Sequence, residues 1–282
     1  MRRIAYVCAF LCLVSTARPT ATAGGRAEVH ITYVGNEGFL VASGGRKVLV
    51  DALYREGVEG YAVPGEDSRY KLERAKRPFD KVDLVLTTHH HADHFDAAAV
   101  GTHLAHNDEA LFVGTPQSVT RLRSYVGENR AVLRRIRAGF PREGQRIRMV
   151  HHGINLELIN LHHGRGQMIE NIGFVFELGG GKFLHMGDSQ AKAKDFRRSN
   201  VHRETFDVAF VPYWYLAYDR MAATARAVIH AKHIVAMHVP PRGSALLNDL
   251  GGWAGMERKI KGGFPNAVLF EREMESKTLS LH

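Results

Sequence analysis

Cysteine is nearly missing from this chain of 282 residues, and the two present, Cys8 and Cys12, both lie near its start. The rest of the chain has no disulfide, no cysteine nucleophile and no thiolate metal ligand. Long apolar runs are missing too: Ile4 to Val14 is shorter than the ~20 residues a membrane span needs. No basic run with interleaved aromatics occurs, so nucleic acid is not favoured as a partner. Acid is absent from the first 23 residues. There Arg2 and Arg3 precede the apolar Ile4–Val14, and small residues follow in Ser15-Thr16-Ala17 and Ala21-Thr22-Ala23. That order predicts an export signal over 1–23, cleaved after Ala23, and a periplasmic or extracellular mature chain. Bulky Val7 and Leu11 before the cysteines match a lipid-attachment site poorly.

Residues 24–282 are expected to form one domain with ample surface to bury a core. The formal net charge is +9, and three of those positives, Arg2, Arg3 and Arg18, belong to the first 23 residues. The excess that remains favours anionic substrates or envelope surfaces.

Strands alternate with helices along the chain. Val29–Val34, Phe39–Ala42 and Lys47–Asp51 read as strands, with Gly44-Gly45 turning between the last two. Residues 55–80 read as a loop insertion. Val82–Thr88 is a strand, Phe95–Leu104 begins a helix, Leu111–Val113 is a short strand, and Gln117–Val126 is a helix after Pro116. Arg146–Val150, Ile154–Leu161, Ile172–Leu178, Lys182–Met186, Val208–Pro212 and His233–Met237 are further strands. Arg220–Ala231 and Gly255–Lys261 are helical, and the end of the chain is a strand pair. One internal echo stands out: Gly38-Phe39, Gly44-Gly45, Lys47 and Leu49 recur at the same offsets as Gly173-Phe174, Gly179-Gly180, Lys182 and Leu184. Each copy ends at or near an aspartate, Asp51 or Asp188, which implies two related halves with donors at their seam.

His89-His90-His91-Ala92-Asp93-His94 leaves the end of the strand Val82–Thr88. Imidazole and carboxylate are the donors that borderline divalent metals prefer. Alternation sends His89 and His91 to one side, and the turn after them can bring Asp93 and His94 to an adjacent metal. Three later segments end strands in the same way. They are His162-His163-Gly164, His185-Met186-Gly187-Asp188, where glycine permits a tight turn, and His238 ahead of Pro240-Pro241. Asp51 can support the site from behind.

This ordered set resembles the metallo-β-lactamase-fold hydrolases, over nearly all of the chain from Val29 onward. Tyr33-Val34-Gly35-Asn36-Glu37-Gly38-Phe39 and His185-Met186-Gly187-Asp188 are most similar to the branch that includes the ascorbate-phosphate lactonases. The resemblance implies an α/β fold, a four-layer αββα sandwich with two divalent ions at one edge. His89, His91 and His163 would hold the first ion, with His162 as the alternative to His163. Asp93, His94 and His238 would hold the second, and Asp188 would bridge the two. Zinc is the first choice, with manganese or iron as alternatives. A water shared by two such ions becomes hydroxide near neutral pH and attacks carbonyl or phosphorus; Asp93 and Asp188 are the carboxylates placed nearest that chemistry.

The expectation is an exported dinuclear hydrolase of an ester, lactone or phosphoester with a small-molecule substrate. A β-lactamase, a non-catalytic metal-binding protein of the same fold, and a nuclease are the alternatives. Tyr213-Trp214-Tyr215 can line the substrate mouth or pack between helix and sheet. Arg165 and Lys192 can meet an anion or lie on the solvated surface. His90, His103, His106, His151, His152 and His185 are left as surface or supporting groups.

Overall fold

A computed structural model describes residues 27–164 and 168–281. The expected export signal and Arg165 lie outside the described residues.

The first half of the chain lays down β1 (Glu28–Gly35), β2 (Gly38–Ser43), β3 (Arg46–Val50), α1 (Glu66–Glu73), β4 (Leu84–Leu86), α2 (Ala97–His106), β5 (Leu111–Gly114), α3 (Pro116–Val126), α4 (Arg130–Leu133) and β6 (Ile136–Ala138). The second lays down β7 (Arg146–His151), β8 (Ile154–Asn160), β9 (Ile172–Leu178), β10 (Gly181–His185), α5 (Ala193–Arg198), β11 (Thr205–Pro212), α6 (Trp214–Ala217), α7 (Asp219–Val228), β12 (His230–Met237), α8 (Gly252–Gly263), β13 (Ala267–Val268) and β14 (Ser276–Ser280).

Two seven-stranded sheets result, ordered β14-β1-β2-β3-β4-β5-β6 and β13-β12-β11-β10-β9-β8-β7. In each, an antiparallel hairpin, β2–β3 or β9–β10, feeds two parallel strands, β4–β5 or β11–β12. The repeated Gly-Phe…Gly-Gly-Lys-x-Leu segments are those two hairpins.

Period-2 alternation decides which face each side chain meets. In the first sheet Val48, Val50, Leu84, Leu86, Leu111 and Val113 enter the core between the sheets. Their neighbours Leu49, Val85 and Phe112 point the other way, into a second core with Ala99, Val100, Val119 and Leu122 of α2 and α3. Both faces of these parallel strands are therefore covered, which is why they read as continuous apolar runs. Phe39 meets Phe210 across the sandwich at 4.9 Å between ring centroids. Helices α5 to α8 cover the second sheet through Phe196, Tyr215, Val228, Trp253, Met256 and Ile260. The layers are thus helix, sheet, sheet, helix.

Three expectations change. Residues 55–80 contain α1, which buries only Ser68 and Leu72 and so carries no apolar stripe. The helix expected over Arg220–Ala231 stops at Val228, because His230 and Ala231 already pair with Thr205 and Phe206. The last two strands do not pair with each other. β13 joins β12 in one sheet, while β14 crosses to β1 in the other.

Candidate metal centre

The donors sit where β4, β8, β10 and β12 end, all on one edge of the sandwich. Open α/β sheets generally present ligand sites at the carboxyl ends of their strands. After β4 the chain turns at once: His94 and Phe95 both donate their backbone N–H to His91 O, at 3.1 and 3.0 Å. This tight turn sends His89 and His91 to one side and Asp93 and His94 to an adjacent one, and Asp96 then caps α2 by accepting from Ala99 N at 2.7 Å. After β10, Gly187 takes φ +55°, and a Cβ there would press on Thr88 and Asn171. His238 also lies in the left-handed region, φ 55°, and its N–H donates to Asn36 O at 3.0 Å. For a non-glycine residue that conformation is costly, and it persists because the surroundings fix it.

Two clusters result. One holds His89, His91, His163 and Asp188, the other Asp93, His94 and His238, with donor atoms in each within 4.8 Å of one another. Asp188 faces both. Its Oδ2 lies 3.5 Å from His163 Nε2 and 3.9 Å from His89 Nε2. Its Oδ1 lies 3.3 Å from His238 Nε2 and 3.4 Å from His94 Nε2. His162 turns the other way and meets Glu143 at 2.9 Å on the exposed surface.

The electrostatics follow from burial. Burial pushes the Asp188 carboxyl up, but the imidazoles of His238 and His94 outweigh it and hold it well below the ordinary carboxylate range. Burial, then His94, keeps His89 neutral, the form in which imidazole binds metal. For His94, burial is outweighed by Asp188 and the pKa rises well above the ordinary value. The Asp93 carboxyl is likewise lowered, burial being overcome chiefly by His94.

The supporting residues lie behind the donors. Asp51 accepts from Thr88 N at 2.8 Å and Thr88 Oγ1 at 2.7 Å, and its Oδ2 lies 3.2 Å from His94 Nδ1. Asn36 donates to Asp93 Oδ2 at 3.0 Å. Glu37 is fully buried, 3.6 Å from His94 Nδ1, and burial, then Asp188, raises its pKa well above the usual range. Sequence reasoning missed Asn36 and Glu37 as site residues. The available signal was two polar residues at the turn of an otherwise apolar hairpin.

The donor set fits divalent cations. His94 Nε2, both ring nitrogens of His163 and Asp188 Oδ1 are buried without a hydrogen-bond partner. Each such atom costs about 1–3 kcal/mol unless something pairs with it, and cations held at the clusters would pair with His94 Nε2, Asp188 Oδ1 and one nitrogen of His163. A third grouping, Glu37, Asp51 and His185, does not fit. Both His185 nitrogens are occupied, Nδ1 accepting from Gly187 N and Nε2 donating to Glu37 O, each at 3.3 Å.

A cavity of about 550 Å³ opens over the clusters, lined by Asp93, Asp188, His238, Tyr61, Trp214 and Met221 among others. Tyr61 and Trp214 flank the His238 ring at 4.2 and 5.0 Å. Of the aromatic triplet only Trp214 lines this cavity; Tyr213 and Tyr215 are buried, and Tyr215 donates its hydroxyl to Ala191 O at 2.6 Å. His90 lines a separate hollow, and His103 and His185 are core residues rather than surface groups.

Comparison with known proteins agrees with this geometry. Residues 46–253 match the family model described as the beta-lactamase superfamily domain, a span that contains all seven donors. A UPF0173 metal-dependent hydrolase of Nitratidesulfovibrio vulgaris is 25% identical over 224 residues, 75% of this chain and 80% of that protein. A UPF0173 metal-dependent hydrolase of Pelotomaculum thermopropionicum is 28% identical over 171 residues, 57% of this chain and 62% of that protein. Among solved structures, the metallo hydrolase Igni18 of Ignicoccus hospitalis superposes with a TM-score of 0.60 at 17% identity, covering 90% of this chain and 100% of that one. The chain belongs to the beta-lactamase superfamily and is a metal-dependent hydrolase of the metallo-β-lactamase fold.

Proposed function

We propose that the protein is an exported dinuclear hydrolase that cleaves an ester, lactone or phosphoester. The observation that carries the reading is the two-sided setting of Asp188, with one oxygen toward His89 and His163 and the other toward His94 and His238. In it His89, His91 and His163 hold one ion, Asp93, His94 and His238 hold the other, and Asp188 is shared. Zinc suits this nitrogen-rich set, and manganese or iron are the alternatives.

Such a pair of ions, when bound, lowers the pKa of a shared water and polarises the oxygen of the bond to be cleaved. The protein's own contribution is placement and proton handling. Asp51 accepts a hydrogen bond from His94 Nδ1 and so turns Nε2 toward the site, where the Nε2 proton is displaced on metal binding, as outer carboxylates orient ligating histidines. Asn36 pins Asp93 through Oδ2, so the carboxyl that lines the cavity keeps a fixed direction. Held ionised at neutral pH, Asp93 can accept a proton from the attacking water and return it to the leaving group. Tyr61 and Trp214 shield one side of the site from water.

The test is elemental analysis of protein recovered from its own compartment, followed by a screen of ester, lactone, phosphodiester and β-lactam substrates. About two ions per chain and turnover of an acyl or phosphoryl ester are expected. Protein that holds no metal and takes up neither added zinc nor manganese would overturn the reading. Nitrocefin as the single substrate cleaved would reassign it to β-lactams. Terminal sequencing tests export: a start near Gly24 is expected, and an intact Met1 on cytoplasmic protein would refute it.

A further inference from the structure

The cavity over the metal centre does not end at Trp214. Gln190 and Met221 also line a second hollow of about 1230 Å³, against α5 and the start of α7. The two hollows adjoin along those side chains, so an extended molecule lying over Met221 reaches both.

The chemistry of the walls changes along this path. Beside Asp93 and Asp188 the walls are aromatic and apolar, with Tyr61, Trp214 and half-exposed Val58. Beyond Met221 they carry Lys192, Lys194, Arg198 and Arg220. Arg198 is spent on Glu143, at 2.5 Å. Asp195 turns its carboxylate to the Lys192 backbone N–H, at 2.9 Å. Among the described residues, Lys192, Lys194 and Arg220 have no ion-pair partner. An ordinary solvated face mixes its signs. Here Glu143 and Asp195 are engaged by Arg198 and the Lys192 backbone, and three cations without an ion-pair partner border one hollow that adjoins the site.

Resting on the hydrolase reading above, the geometry points to an elongated amphiphilic anion as the substrate. The bond to be cleaved lies over Asp93 and Asp188, an apolar segment lies between Tyr61, Trp214 and Met221, and a terminal oxyanion meets Lys192, Lys194 and Arg220. Aromatic and aliphatic walls remove the middle of such a molecule from water, while the cations select its end and draw it in.

The test uses zinc-loaded enzyme and p-nitrophenyl monoesters of adipic, suberic and sebacic acids, against the neutral hexanoate, octanoate and decanoate esters. At the length that spans the two hollows, kcat/KM for the charged ester should exceed that for its neutral partner by roughly tenfold at low salt. The preference should shrink as salt rises. Lys192→Ala/Lys194→Ala/Arg220→Ala should abolish it, and Lys194→Glu/Arg220→Glu should invert it. These side chains are exposed, so the folded core is untouched. A ratio that never exceeds one, or that survives both variants, overturns the proposal. Calorimetric titration of the same enzyme with suberate and octanoate needs no turnover. Tighter suberate binding that both variants lose supports the trough even if no ester is cleaved, in which case only the ester chemistry falls. Equal affinities overturn it.

Discussion

His162 and His163 are neighbours in sequence with opposite surroundings, and alanine at each should have opposite consequences. His163 Nε2 lies 3.5 Å from Asp188, and its ring centroid lies 4.8 Å from His89 and 4.7 Å from His91. Neither of its ring nitrogens has a hydrogen-bond partner. Removing the ring therefore strands no protein group, and it deletes two buried polar atoms. Without metal, His163→Ala should melt within about 1 kcal/mol of the parent. With metal the balance reverses. Losing even an outer partner of a ligand costs about 10–100-fold in affinity, so losing a donor should cost the first site at least about 100-fold. His162 pairs with Glu143 at 2.9 Å, and both side chains are about half exposed, 45% and 48%. Screened by solvent, that pair is worth at most about 1 kcal/mol, and Glu143 keeps Arg198. His162→Ala should keep its metal and its activity. Zinc content measured against graded chelator, beside thermal melts of chelator-treated protein, separates the cases. Metal lost from His162→Ala but kept by His163→Ala, or a His163→Ala chain that fails to fold without metal, would refute the argument.

Asp188→Asn should lose most bound metal and at least ~10³ in turnover, while its chelator-treated form melts near the parent; two tightly held ions with normal turnover would remove Asp188 from the centre. Acid should weaken the fold through His103, whose pKa burial pushes down to about 4 from an ordinary 6.5. The unfolded chain then binds the extra proton between those values, so stability is full above pH 6.5 and falls by about 3 kcal/mol towards pH 4. Urea melts at pH 7 and pH 4 should reveal a smaller loss in His103→Asn, and equal losses would exclude His103. Gly179→Ala should cost about 3 kcal/mol, since Gly179 has φ +58° and a Cβ there would run into Ser43; a denaturation midpoint like the parent's would contradict the tight contact between the turns.

The candidate donors could be picked out because each follows the end of a strand, and continuous burial in β4 and at the ends of β10 and β12 makes those runs conspicuous, whereas β8 alternates. The second hairpin was legible from its glycines. Other features leave no such mark. α1 packs on two side chains only, so nothing periodic betrays it. The partner of β14 is set by closure of the sandwich, more than 240 residues away in sequence at Thr278 and His30. His103 looks like a surface histidine until its Nδ1 is seen to donate to Leu72 O at 2.6 Å, with Asn107 on its other nitrogen. Glu37 and Tyr61 sit in a tight turn and an irregular loop, where spacing carries no information about direction.

The internal echo has a consequence for how the centre is held. The Gly44-Gly45 and Gly179-Gly180 turns touch: a Cβ on Gly44 would lie 2.9 Å from Gly179 Cα. Asp51 and Asp188 lie just past the opposite ends of the same hairpins. Each strand between turn and aspartate holds five residues, about 17 Å at the usual rise. Contact of the turns, with the core packed between the sheets, sets how the two halves sit along their strands, and that offset brings Asp188 from one half to His89 and His94 from the other. Glycine permits the close approach at one end, and the core packed between the sheets carries that offset to the donors at the other. Two segments that look like repeated surface turns therefore take part in assembling the candidate metal centre.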